Sequence, residues 1–181
     1  RNEEVGYMKS RGIWREVPIE ECWKRTGKGP ISVRWVDTDK GINGNVDVRC
    51  RLVARDFKGK GEGKDKKDST YASTPPLEGL RMLCCKAAAS GRNGKRRKML
   101  IMDARKAHLN PRCDEEVYIE LPEEAGASAN MCGEFQFWMY GMRQAAQAWE
   151  ERYSGKMETA GFKRGIGNAV VCYQAGNDVA V

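Results

Sequence analysis

The sequence has a single histidine, His108, and none of its seven cysteines belongs to a CxxC pair. A zinc site needs about four convergent ligands, so this composition argues against zinc. The cysteines, Cys22, Cys50, Cys84, Cys85, Cys113, Cys132 and Cys172, are odd in number and scattered. That pattern speaks against a disulfide framework and for reduced, partly buried thiols in an intracellular protein of unspecified compartment. No apolar run approaches the roughly 18–20 residues that span a bilayer. Arg1-Asn2-Glu3-Glu4 does not read as a secretory signal. There is no internal repeat, and no low-complexity tract long enough to leave the whole chain disordered.

What is present is a chain of 181 residues, 40% hydrophobic and 31% charged, with five Trp, six Tyr and four Phe. This is enough to fill one core beneath a very polar surface. The formal net charge is +7, and it is unevenly spread. Gly91 to Lys98, GRNGKRRK, carries Arg92, Lys95, Arg96, Arg97 and Lys98 and no acid. Arg55 to Lys67 adds six basic residues diluted by three acids, whereas Asp114 to Glu124 holds six carboxylates. A polyanionic partner would explain the basic clusters. Solvated, flexible loops are the simpler explanation from charge alone.

Periodicity predicts strands and helices in alternation. Residues 1–30 read as a polar lead. Over 31–54 two runs of alternating apolar residues flank Asn43-Gly44, a dipeptide suited to positive φ at both central turn positions. Ile31, Val33 and Trp35 line one side of the first run, and Val46, Val48, Cys50, Leu52 and Ala54 one side of the second. Arg34, Arg49 and Arg51 occupy the other side, so the hairpin has an apolar and a basic face. Residues 57–70 read as a loop. A helix is expected near 75–90, with Thr74 as cap, Pro75 in its first turn and Leu77, Leu80, Leu83 and Ala87 as its apolar stripe. Met99–Asp103 reads as a short buried strand and Val117–Leu121 as another, with one more around Phe135 and Phe137. A second helix is expected over 144–160, with Ala145, Trp149, Tyr153 and Met157 on one face. A last hairpin, over 169–181, turns at Ala175-Gly176-Asn177. Strand pairs separated by helices make an α+β fold.

Asp103 draws attention because it ends an apolar strand. A carboxylate there is costly unless it faces a cleft or a cation. Paired with a second such Asp it would hold Mg²⁺ for phosphoryl transfer. Alternatively it caps a helix beginning at Ala104.

The order of segments adds a resemblance. WREVP at 14–18, VRWVDTDKGINGNVDVRCRLVARDF at 33–57, LRMLCCKAAASG at 80–91, LIMDARKAHLNPRCDEEVYIELPEE at 100–124 and WMYGMRQAAQAWEERYSGKMETAGFKRG at 138–165 stand in the order and spacing of copia-type reverse transcriptases. The resemblance covers about residues 14–181. It implies a fingers hairpin beside an incomplete palm sheet with two flanking helices. In its terms 1–30 is a lead, 31–98 is fingers-like and 99–181 is palm-like.

By the same resemblance Arg49, Arg51 or Arg55 approaches an incoming triphosphate. Asp103 is the first metal-binding aspartate, with the Ala104 carbonyl as a further ligand. His108 lies under the nucleotide sugar, and Tyr140, Gly141 and Arg143 line the nucleotide and template pocket. Mg²⁺ is the family's cofactor and template–primer its partner. The sequence also departs from the family pattern. His108 replaces an aromatic residue, Asn110-Pro111 a glycine-containing turn and Asp56 a glycine. Arg105-Lys106 adds positive charge near Asp103, and no Y/H-x-D-D turn occurs in the stretch. These departures imply a fragment or degenerate copy that holds Mg²⁺ poorly. The alternative is a non-catalytic basic subunit docking on nucleic acid or on protein partners in a larger assembly.

Overall fold

The computed structural model describes residues 1–56, 76–89, 91, 94, 96–167 and 170–181. Expectations about Arg92, Lys95, Thr74, Pro75 and the 57–70 loop fall outside these. The chain is α+β, with helices and small antiparallel sheets forming two compact units. One comprises Arg1–Thr70 and Lys106–Trp149, and the other Tyr71–Arg105 and Glu150–Val181.

In the first unit the expected hairpin forms from β2 (Val33–Asp39) and β3 (Val48–Ala54), in register from Val33 opposite Ala54 to Asp39 opposite Val48. Asn43 and Gly44 both adopt positive φ, 58° and 84°, and the Asn45 amide donates to the Ile42 carbonyl. This is the turn that the Asn-Gly dipeptide favours. Asp39 braces the connection by accepting from the Gly41 and Asp47 amides, which holds its carboxyl below its ordinary pKa.

The polar-lead reading of residues 1–30 is corrected. They fold into α1 (Asn2–Ser10), β1 (Trp14–Pro18) and α2 (Ile19–Thr26). Val5 and Met8, three apart on one helix face, are buried with Ile13 and Trp14 in the main core. They meet Leu52 and Ala54 of β3, Ile119, Phe135, Trp138, Met139 and Met142 in the same cluster. Strand β1 pairs with β5 (Met131–Phe135), which pairs in turn with β4 (Tyr118–Ile119).

In the second unit α3 (Leu77–Ala88) begins after Pro76, and a sheet forms from β6 (Lys163–Arg164), β7 (Cys172–Gln174) and β8 (Val179–Ala180). The helix α4 (Ala145–Thr159) runs from the first unit's residues into the second's. Two expectations fail here. The α3 stripe is covered only in part, since Leu77 and Leu80 are each 55% exposed while Leu83 and Ala87 are half-buried. Met99–Asp103 is neither strand nor buried, with Met99, Leu100, Ile101 and Met102 at 50–87% exposure. Among the described residues no strand pairs with this segment, and an apolar run without a ladder partner has nothing to hold it as a sheet strand. The segments expected to share one palm sheet are therefore distributed otherwise. Val117–Leu121 contributes to the β1-β5-β4 sheet, 172–180 to the β6-β7-β8 sheet, and Met99–Asp103 to neither.

Asp178 ties the last hairpin to α3. Its carboxylate accepts from Lys86 Nζ at 2.7 Å, from Arg97 Nη2 at 2.7 Å and from the Tyr173 hydroxyl at 3.0 Å. These hydrogen bonds, Lys86's first, hold its carboxyl well below the usual carboxylate range. A depressed folded-state pKa contributes stability that is complete above the unfolded pKa, about 3.9, and is lost as pH falls below it. The Asp178→Asn variant is therefore expected to melt lower than wild type at pH 7, with the difference shrinking as pH drops from 5 toward 2. Thermal unfolding followed by circular dichroism checks this. A gap that stays constant with pH would assign the stabilisation to something other than the carboxylate.

All seven cysteines are free, with Cys22, Cys132 and Cys172 buried. Burial pushes the Cys132 thiol up to about 11, keeping it protonated. Among the described residues no helix is long and apolar enough to cross a membrane.

Candidate functional site

The first unit brings several of the sequence-predicted site residues onto one surface beside β3. Past β5 the chain returns to the hairpin, where the Ala54 amide donates to the Tyr140 carbonyl at 2.8 Å. Gly141 follows with φ +86°. A Cβ at this position would stand 2.1 Å from the Ala54 carbonyl oxygen and 2.5 Å from Val53 Cγ1, so only glycine permits the approach. Next along the chain the Arg143 amide donates to Asp56 Oδ2 at 3.0 Å, and its Nε approaches the same oxygen at 3.4 Å. Asp56, a departure from the family pattern, is thus the acceptor that fixes Arg143.

His108 sits on a 3-10 turn, Ala107–Leu109, and its ring lies 5.6 Å from the Tyr140 ring at a 50° tilt. Burial lowers the His108 pKa, favouring neutral imidazole. The Tyr140 hydroxyl is raised, first by burial and then by the Glu4 carboxylate, against the opposing pull of Arg49 and Arg51. Both arginines are thus within electrostatic reach of Tyr140. Arg49 is exposed and Arg51 half-buried. The exposed side chain of Arg55 follows directly, and its backbone amide donates to the Ser32 carbonyl.

Three residues have a place in this site that the sequence did not indicate, Lys106 having been noted only as a positive charge near Asp103. Lys106, immediately before the His108 turn, adopts a left-handed φ of 52°. Its ammonium is 2.5 Å from Glu4 Oε2 and 3.7 Å from the centroid of the Tyr7 ring. Glu4 is only 9% exposed. The three-residue spacing of Glu4 and Tyr7 puts them on neighbouring positions of one helix face, the one local sign available.

Other predicted residues are elsewhere. Asp103 and Ala104 belong to the second unit and are exposed. In the basic loop Arg96 and Lys98 are exposed. Arg97, expected to meet a polyanion, makes contacts within the fold. It pairs with Asp178 and donates to the Lys86 and Ala89 carbonyls at the end of α3.

A family profile described as reverse transcriptase (RNA-dependent DNA polymerase) matches residues 22–178. The chain belongs to the reverse transcriptase family. It is 23% identical over 176 residues to the retrovirus-related Pol polyprotein from transposon TNT 1-94 of Nicotiana tabacum, and the copia-type resemblance stands with it. The match covers 95% of this chain and 12% of that polyprotein. The chain is a reverse-transcriptase-like segment spanning a small part of its relative. No solved structure matches.

Reverse transcriptases generally use Mg²⁺, and the ion seeks near-octahedral oxygen coordination. Asp103 brings one carboxylate, and Arg105 stands two residues away. Among the described residues no group of three or more His, Cys, Asp or Glu side chains could hold a metal ion. The donors among the described residues do not by themselves fit Mg²⁺.

Proposed function

We propose that this chain supplies the nucleotide-facing surface of an RNA-directed DNA polymerase. In this reading residues 31–98 act as fingers and 99–181 as the first part of a palm, and template–primer is the partner. Arg49, Arg51 and Arg55 meet the triphosphate, and His108 lies beneath the sugar. Tyr140 and Gly141 line the nucleotide, and Arg143 is oriented by Asp56. Asp103 is the first carboxylate of a metal site that needs further donors. The observation that carries the reading is the meeting of His108 with Tyr140, whose carbonyl is hydrogen-bonded to Ala54 of β3, the strand that bears Arg49 and Arg51. A hydrogen bond to a charged group contributes about 1.5–3 kcal/mol. Titration with dTTP, followed by fluorescence or calorimetry, should therefore show affinity falling by roughly ten- to a hundredfold in Arg49→Ser and in Arg51→Ser taken singly. Unchanged affinity would remove the hairpin from the nucleotide's path.

A second reading, a non-catalytic protein docking on nucleic acid or a larger assembly, is favoured by the absence, among the described residues, of a group of three or more side chains that could hold a metal ion. A polypeptide of residues 1–181 is then expected to bind duplex but not to extend a primer on an RNA template. Its log affinity should fall with log salt at about −0.9 per phosphate contact. Replacing Arg92, Lys95, Arg96 and Lys98 by Ser should flatten that slope. Arg97 is left in place because it holds α3 to Asp178. Template-dependent extension that vanishes in Asp103→Ala would defeat this second reading.

A further inference from the structure

We infer that α1 is part of the nucleotide site, with Glu4 as a positioning residue that acts through Lys106 to set His108 against Tyr140. The inference rests on the nucleotide-facing reading above and adds to it an element that the family profile, which begins at residue 22, leaves out. A lysine in the left-handed region persists only where its surroundings over-determine it. Here they do. The Lys106 ammonium is held by the Glu4 carboxylate at 2.5 Å and stands 3.7 Å above the Tyr7 ring, both from α1. Its carbonyl accepts from the Leu109 amide at 2.9 Å and from Asn110 Nδ2 at 3.2 Å, closing the turn that carries His108. Leu109, buried in the core, fixes the far side of that turn. Helix α1 is itself anchored by Val5 and Met8 in the same core. Glu4 and Tyr7 also lie within electrostatic reach of the Tyr140 hydroxyl. One anchored helix thus holds the backbone from which His108 projects toward Tyr140.

The single histidine makes the test direct, because all imidazole signals belong to His108. Nuclear magnetic resonance of the 181-residue protein at a fixed neutral pH reads the ring-to-ring Overhauser contact between His108 and Tyr140. In Glu4→Gln this contact is expected to disappear and the His108 ring shifts to move toward those of free imidazole. In Lys106→Arg, which keeps the cation for Glu4 and Tyr7, both should stay near wild type. If Glu4→Gln does not fold, the neutral pair Glu4→Gln/Lys106→Met, with no unpaired buried charge, replaces it with the same expected loss. A folded variant that retains the contact and the wild-type shifts would overturn the positioning role. A separate titration with dTTP judges the site itself. The His108 signals of wild type should shift on binding, and Glu4→Gln or the neutral pair should bind about tenfold more weakly. If dTTP leaves the wild-type signals unmoved, the nucleotide reading fails, while the Overhauser result still decides whether Glu4 positions the ring.

Discussion

Replacing Gly141 with alanine is expected to destabilise the protein by about 3 kcal/mol or more, from left-handed strain and overpacking together. The new Cβ would fall 2.1 Å from the Ala54 carbonyl oxygen, a backbone atom that cannot rotate away as a side chain would. Relief requires the 140–143 segment to move off β3. That breaks the hydrogen bond from the Ala54 amide to the Tyr140 carbonyl and carries Tyr140 away from His108. The loss should therefore appear twice, as a lower urea midpoint and as weaker dTTP binding. Gly155 supplies the control, since a Cβ there meets nothing within 4 Å. In the middle of α4, Gly155→Ala should raise stability by roughly 0.5–1 kcal/mol. A Gly141→Ala midpoint equal to wild type would show that β3 and the 140–143 segment are not held together as described.

Removing the Glu4 carboxylate altogether should have an effect of similar size by a different route. Glu4→Ala leaves the Lys106 ammonium nearly enclosed, with the Tyr7 ring but no counter-charge. Breaking a buried pair in this way typically costs about 3–5 kcal/mol. Replacing both partners by uncharged residues of similar shape should cost far less, because no charge is left stranded. The comparison of Glu4→Ala with Glu4→Gln/Lys106→Met by urea denaturation separates the two contributions. Equal losses would mean that packing of α1, through Val5 and Met8, dominates and that the ion pair adds little. A larger loss in the single variant would show that the fold depends on the pair being complete. The outcome also bears on function, since the positioning role of Glu4 requires a pair that the folded state actually maintains.

Much of the local structure was legible in the residues alone. Alternation of apolar side chains gave β2 and β3, and Asn43-Gly44 gave the turn between them, because side-chain direction and backbone torsion are set within a few residues. The stripe from Ala145 to Met157 gave α4 in the same way, and the order of five short motifs gave the family. Local pattern misled where the outcome depended on a distant partner. Met99–Met102 is apolar and extended enough to be a strand, yet strand formation needs a ladder, and the described residues provide none. The stripe of α3 has helical spacing, but spacing carries no information about what covers it. Residues 1–30 looked like a polar lead because six buried apolar side chains, Val5, Met8, Ile13, Trp14, Val17 and Cys22, were outnumbered by charged neighbours.

The site shows the same division. The sequence by itself determined which residue types are available, namely the arginines of β3, the single His108, Tyr140 and a glycine at 141. Only the tertiary structure decided which of them meet. Lys106 and Glu4 are 102 positions apart, and Arg143 and Asp56 are 87 apart. No periodicity links residues at such separations. They come together because α1 and the chain around Met139 are buried in one core with Leu52 and Leu109. Once those side chains are packed, a half-buried ammonium or guanidinium is best served by a carboxylate within reach. Which carboxylate supplies it is fixed by the path of the backbone through that core.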